Sequence, residues 1–388
     1  MKEQKLGNKK IILYSTLISV GVLFCTSCAK PPEDEAAAVT TTSSRYLYVA
    51  SGTCYSGGGN TTFTNATASN FVFRIDLATG AKDATIADYN SSPSQTGDSP
   101  VGIASIDSNN MYILVENATA GARRIEKVQK TTDGARTLFS NNTTALSVAL
   151  RGLHILTNGD LLINKSTAIE KINTANVRIT KGANPYVNAP AAPCATSTTL
   201  MSKVTTLSNQ FILFLHAATS QNRFGFVKPE GYGAAGDCTP AQAAPNTASF
   251  PVATAYDAVN SKLLVAYAGS TTTTDINSIY AYNITETSSS VTVGTANKIY
   301  DASLYPATYP YLLYGISEMV LDPVDNTLYI ATAINTATTV VNYAIEKFSY
   351  DASQIGVANT SVLTRSGSTP FFDYGGETKC IADMMIAD

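Results

Sequence analysis

Apolar and polar residues alternate with a period of two over short runs along this chain, and Gly, Asn, Asp and Ser interrupt the runs every few positions. Successive side chains of a strand point to opposite faces, so the alternation predicts half-buried β-strands; stretches with helical spacing are scarce. The strands recur as a unit: an apolar strand, a tight polar turn, and a second strand of Tyr, Leu, Ile and Val. The copies are VGIASID-SNN-MYILV from Val101, GLHIL-TNGD-LLIN from Gly152, KVTTL-SNQ-FILFL from Lys203, ATAYD-AVNS-KLLVAY from Ala253 and SEMVL-DPVDN-TLYIA from Ser317.

A third strand follows each pair and carries a signature of its own: Ile125-Glu126-Lys127-Val128, Ile169-Glu170-Lys171-Ile172 and Ile345-Glu346-Lys347-Phe348. Looser copies end at Ile75, Val227 and Tyr282, and a weaker fourth strand can follow, as in Ala84 to Tyr89, Arg136 to Ser140, Val177 to Lys181 and Asn297 to Asp301. Four antiparallel strands repeated in this way predict the blades of a β-propeller. A β-sandwich would supply alternating strands but no reason for Ile-Glu-Lys-apolar to recur. Six third strands but only five complete first-and-second pairs predict an all-β, six-bladed β-propeller, with seven blades as the alternative. The sixth blade is completed by the two termini: Tyr46 to Ser51 acts as a second strand, and Cys380 to Ile386 supplies the missing first strand, closing the ring and removing its exposed edges.

Tyr46-Leu47-Tyr48-Val49-Ala50-Ser51, Arg74-Ile75-Asp76-Leu77-Ala78-Thr79-Gly80 and Ser99-Pro100-Val101-Gly102-Ile103-Ala104 resemble the YVTN-type β-propeller repeat, with kinship to NHL-type propellers. The resemblance is good over residues 46 to 117 and diffuse beyond. It implies the fold and leaves function open, since such propellers serve as binding scaffolds, adhesins and occasionally enzymes.

The first residues have another pattern. Four lysines within Met1 to Lys10 precede the uncharged apolar run Ile11 to Phe24, which is too short for a bilayer core of ~30 Å but suits the apolar region of a secretory signal. Cys25-Thr26-Ser27-Cys28 then resembles the cleavage box of bacterial lipoproteins, which implies acylation at Cys28. An ordinary signal peptide is the alternative. Cys25 stands where that family usually has Leu, so the looser boxes such as those of spirochaetes are nearer. Residues 1–27 are thus expected to be a signal peptide, 28–44 a flexible acidic tether without apolar periodicity, and 45–388 the propeller. Ala29 after the acylated cysteine resembles lipoproteins that travel to an outer membrane, so a cell-envelope, outer-membrane lipoprotein is expected, its leaflet left open.

Composition narrows the chemistry. Of 388 residues 44% are hydrophobic and 14% charged, enough apolar sequence to exclude global disorder, and a formal charge of -3 gives no nucleic-acid footprint. With only His154 and His216, sites built on several imidazoles are hard to assemble. Beyond residue 28, HExxH, CxxC, GxSxG, P-loop and EF-hand patterns do not occur, and no cofactor is expected. Secretion implies an oxidising compartment, in which Cys54, Cys194, Cys238 and Cys380 allow three pairings. Antiparallel closure of the ring brings Cys380 towards Cys54, so the expected pairs are Cys54 with Cys380 and Cys194 with Cys238.

In a four-stranded meander, the turns joining strands one to two and three to four lie on one face of the ring. The first-to-second turns are tight (Asp107 to Asn110, Thr157 to Asp160, Ser208 to Gln210), whereas the opposite face receives Gly52 to Asn70, Asn90 to Pro100, Asn184 to Thr199, Gly231 to Pro251, Ala268 to Asn277, Ser303 to Tyr314 and Ser366 to Lys379. Long loops more often carry function. Aromatic residues concentrate there: Tyr305, Tyr309 and Tyr311, with Tyr314 in the same connection, then Phe371, Phe372 and Tyr374, with Tyr55 in the adjoining loop. Such rings suit a protein or glycan partner. They equally suit packing under their own loops.

Aligned first strands place Gly102, Gly152, Lys203, Ala255, Glu318 and Asp383 in one layer near the channel entrance. Glu318 and Asp383 resemble half of the acidic metal cluster in gluconolactonase-type propellers, a resemblance that would imply a metal-dependent hydrolase, although a hard cation wants more oxygen ligands and Lys203 opposes it. The leading expectation is a lipid-anchored, monomeric, non-enzymatic binding module. A lactonase-type hydrolase and an envelope-assembly scaffold are the alternatives.

Overall fold

In a computed structural model, described from residue 44 to 388 except 54–69, 92–93, 148, 166–167, 183–184, 189–199, 218–222, 235–236, 244, 246–248, 270–276, 301–311, 338–339, 359–360 and 374–379, the strands form six antiparallel sheets in a ring. Blade 1 contains β1 (Tyr46–Ser51), β2 (Phe71–Asp76) and β3 (Lys82–Asp88). Blade 2 is β4 (Ser99–Ser105), β5 (Asn110–Glu116), β6 (Arg124–Gln129) and β7 (Arg136–Ser140). In blade 3, β8 (Leu150–Ile155), β9 (Leu161–Lys165) and β10 (Ala168–Ile172) are followed by two short strands, β11 (Arg178–Ile179) and β12 (Val187–Asn188), which both pair with β10. Blade 4 is β13 (Leu200–Thr206), β14 (Ile212–Ala217), β15 (Arg223–Val227) and β16 (Cys238–Ala243). Blade 5 is β17 (Ser249–Asp257), β18 (Lys262–Gly269), β19 (Asn277–Glu286) and β20 (Val291–Tyr300). Blade 6 is β21 (Leu312–Asp322), β22 (Thr327–Ala337) and β23 (Val340–Tyr350), with β24 (Leu363–Arg365) and β25 (Phe372–Asp373) along the edge of β23. The last strand, β26 (Ile381–Ala387), returns to blade 1 and pairs antiparallel with β1, Tyr46 facing Ala387 and Ser51 facing Ile381.

Each seam between blades holds one hydrophobic cluster, and each cluster takes residues from both neighbours. Tyr48 and Val72 meet Ile103 and Ile113 between blades 1 and 2, while Leu47 and Phe73 meet Tyr329 and Ile345 where blade 6 returns to blade 1. Phe214 packs with Leu162, and Leu213 with Val265, in the two seams flanking blade 4. Each blade therefore covers both of its faces, one in each seam, and β1, β5 and β9 are buried over nearly their whole length. Gly102 marks a close approach in this packing: a Cβ there would stand 2.7 Å from the Leu153 nitrogen of blade 3.

The recurring third-strand glutamate proves to be a buried ion-pair residue. Glu170 is fully buried and meets Arg178 of β11 at 2.8 Å and Lys165 of β9 at 2.5 Å; Glu346 meets Arg365 of β24 at 2.8 Å. In blade 2 the arginine comes from the third strand itself: Arg124 reaches Glu126 and Asp98, both at 2.6 Å, and Tyr89 of blade 1 donates to Glu126. The signature therefore ties the third strand to its own blade and its neighbours.

Two expectations about elements need correction. Gly231 to Pro251 contains the edge strand β16, hidden in the sequence by Pro240 and several alanines; an outermost strand tolerates proline because no further strand needs its N–H. The inner strands also carry a β-bulge, at Pro100/Gly102, Leu150/Gly152, Pro251/Ala253 and Ile316/Glu318, and the extra residue shifts the alignment. It is Ala253, and not Ala255, that shares a layer with Gly102, Gly152 and Glu318.

Acid should loosen this ring. Burial favours the neutral form of Asp98, but the hydrogen bonds from Arg124, Asn117 and the Gln95 N–H outweigh it and hold its pKa below the ordinary aspartate value. In the turns, Asp107 is held down by the Asn110 side chain and the Asn109 N–H, and Asp351 by Ser353. A depressed folded pKa contributes stability that is present above the unfolded value of about 4 and lost as pH falls through the folded one. The melting temperature is expected to drop as pH is taken from about 5 to below 4, and Asp98→Asn should remove part of that slope. An unchanged slope in that variant would deny Asp98 the role.

Candidate functional site: the axial channel and its two ends

The first strands, in the order β26, β4, β8, β13, β17 and β21, line the axis, each touching the next, and β21 touches β26. Meander topology puts the short first-to-second turns, such as 106–109, 156–160 and 323–326, on one face. The second-to-third and blade-to-blade connections leave and re-enter the described strands at the other, as at Gly52 and Asn70 or Tyr89 and Asp98.

On the long-connection face, Tyr55, Tyr305, Tyr309, Tyr311 and Tyr374 lie outside the described residues. Phe371 and Phe372 are described, half-buried, and packed within the chain. Phe371 stands 5.1 Å from the Tyr329 ring with Lys347 over it, and Phe372 stands 5.5 Å from Phe73. Both rings fill the seam where blade 6 meets blade 1. Cys28, Cys54 and Cys194 also lie outside the described residues. Cys380 is fully buried just before β26, and Cys238, half-buried, opens β16.

Glu318 and Asp383 do come from neighbouring blades and share the axial layer, but they are 1% and 4% exposed. Asp383 accepts hydrogen bonds from the Met384 N–H at 2.9 Å and, across the seam, from the Ile103 N–H of blade 2 at 2.8 Å; Glu318 accepts from the Met319 N–H at 2.9 Å. Their oxygens thus serve the blade backbones. Among the described residues no group of three or more His, Cys, Asp and Glu could hold a metal ion. This donor set does not fit the hard divalent cation that the gluconolactonase resemblance implies.

The described opening into the axis lies at the tight-turn end. There a cavity of about 380 Å³ is lined by residues from all six first strands. His154, for which the sequence offered no partner, faces Thr206 at 3.0 Å between its Nε2 and the hydroxyl. Ser105 accepts from Lys130 Nζ at 2.8 Å, and Tyr256 donates its phenolic proton to Glu286. Burial lowers the Lys130 pKa and, with the Glu286 hydrogen bond, raises that of Tyr256 to about 12. Loop length does not mark this end of the ring, since its turns are short. The available signal was the set Ser105, His154, Thr205 and Thr206, polar residues crowding the last positions of three consecutive first strands.

No family model matches the chain, and no curated protein matches it. Among solved structures, a putative 6-phosphogluconolactonase from Bacteroides uniformis is similar over 84% of this chain and 82% of its own, at 10% identity and a TM-score of 0.47. Virginiamycin B lyase from Staphylococcus aureus is similar over 65% and 70%, at 18% identity and 0.39. A β-propeller domain from Myceliophteria thermophila covers 67% and 73%, at 9% identity and 0.38.

Proposed function

We propose that this chain is a lipid-anchored propeller of the bacterial cell envelope, of the YVTN or NHL repeat type, acting as a non-enzymatic binding module for a protein or glycan through its long-connection face. The observation that carries the reading is the asymmetry between the faces. The first-to-second turns on one face are short and hydrogen-bonded, while long connections such as 52–70 and 301–311 join the strand ends of the other, and the sequence concentrates aromatic residues in those connections. The lactonase-type alternative would draw on Glu318 and Asp383, and their burial against backbone N–H groups favours the binding reading.

Anchoring is tested by Cys28→Ala, which should move the protein from the membrane to the aqueous fraction; retention on membranes, with no acyl chain on the wild type, would reject it. Binding is tested by partner recovery with Tyr305→Ala, Tyr309→Ala and Tyr311→Ala. Exposed aromatic anchors should cost about 2 kcal/mol, a loss of roughly 30-fold, at an unchanged melting temperature. Phe371→Ala and Phe372→Ala are expected instead to lower the melting temperature, since those rings are packed. Unchanged affinity in all three Tyr variants would remove the aromatic face from the mechanism, and a millimolar-or-tighter divalent metal dependence of lactone hydrolysis would favour the alternative.

A further inference from the structure

The axial cavity has two unlike walls. Of the half-buried residues lining it, blades 2 to 4 supply Ser105, His154, Thr205 and Thr206, with hydroxyls and an imidazole, and Ile155 as the one apolar side chain on that side. Tyr256, Val320, Leu321, Met385 and Ile386, from blades 5, 6 and 1, put an aromatic ring, a thioether and branched aliphatic chains on the other. All ten are half-buried, so the apolar wall remains partly uncovered at the mouth.

Charge is already engaged around this space. Asp383 receives two backbone N–H groups, Lys130 is hydrogen-bonded to Ser105, and Glu286 accepts a hydrogen bond from the Tyr256 hydroxyl, an interaction that also fixes the position of that ring. On the same face, and in the same two blades as part of the apolar wall, Val259 and Val324 stand 82% and 69% exposed in the turns β17–β18 and β21–β22. Exposed large apolar side chains gathered beside a concave opening mark a binding site more often than scattered ones do.

We propose that the axial cavity at the tight-turn face binds a small neutral amphiphile, with its hydroxyl or carbonyl edge on the Ser105, His154 and Thr206 wall and its apolar body on the Tyr256, Leu321, Met385 and Ile386 wall. A volume of about 380 Å³ is at the lower end of ligand pockets, which sets the size at one ring or a short chain. Methionine in the apolar wall adapts its shape to such bodies. An ionised ligand would lose water without gaining a counter-charge, because the nearby charges are committed within the chain. This site is on the face opposite to the proposed partner surface and stands or falls separately from it.

The test is titration of the full-length protein with phenol and cyclohexanol as probes, followed by ligand-observed NMR and calorimetry, with benzoate and D-glucose as the charged and the fully polar comparators. Saturable binding of the two amphiphiles is expected, with both comparators weaker. Thr206→Val, which keeps shape and removes a hydroxyl, should weaken binding about tenfold. Thr205→Phe, which fills the cavity, should abolish it. If Thr205→Phe fails to fold, Met385→Gln serves as the second variant and should weaken cyclohexanol more than phenol. Absence of saturable binding by the wild type, equal binding of benzoate or glucose, or affinities that none of these variants change would each overturn the proposal.

Discussion

Glu170→Ala is expected to destabilise the propeller by about 3–5 kcal/mol, among the largest effects of any single carboxylate in the ring. Glu170 is fully buried, and two cations are held against it, Lys165 with 8% and Arg178 with 20% of their side chains exposed. Removing the acid leaves both without that counter-charge, Lys165 in a nearly buried position. Arg74 and Asp83 form an equally short contact at 2.5 Å, but with 21% and 39% exposure water screens them, and Asp83→Ala is expected to cost about 1 kcal/mol or less. Distance alone would rank these pairs alike; burial separates them. Denaturant unfolding of the two variants side by side is the measurement. Equal midpoints would mean that the Glu170 cluster is relaxed by water. The combination Glu170→Leu, Lys165→Met, Arg178→Met should recover most of the loss, because an apolar replacement removes the desolvation cost along with the attraction.

That cluster also shows how far the sequence could be read. Ile-Glu-Lys-apolar was visible as a repeat because each copy occupies the same place in its blade. The reason for the glutamate was hidden, since its arginine comes from β11 in blade 3, from β24 in blade 6 and from β6 itself in blade 2. Strand existence and ring closure were legible because both follow from a two-residue period and from counting. Register along the axis was not, because a bulge inserts one residue without disturbing the apolar pattern on either side, and so Ala255 was placed where Ala253 stands. The axial cavity was the least legible feature. Its walls are assembled from six strands that meet only when the ring closes, and each contributes residues that look ordinary in its own hairpin.

Closure itself is where the second large effect is expected: Cys380→Ser should lower stability by several kcal/mol, up to the ~5 kcal/mol that chain-entropy reasoning allows for a cross-link spanning nearly the whole ring. β26 is held to β1 by a short antiparallel ladder, with a register shift at Ala50/Ser51. The ladder continues one step further, where the Gly52 N–H donates to the Cys380 carbonyl at 3.0 Å, so Cys54 follows the partner of Cys380 by only two residues. A chain that turns back after Thr53 brings Cys54 to the roughly 4.4–6.8 Å between Cα atoms that a disulfide needs, whereas a straight continuation of β1 would carry it beyond. We propose that Cys54 and Cys380 are bonded and staple the first and second strands of blade 1. Peptide mapping of the non-reduced protein should recover Cys54 joined to Cys380 and Cys194 joined to Cys238. Reduction should lower the melting temperature of the wild type and leave that of Cys380→Ser less affected. Cys54 recovered with Cys194 or Cys238 would overturn the pairing, and a wild type whose melting temperature ignores reductant would leave the β26–β1 ladder as the sole closure of the ring.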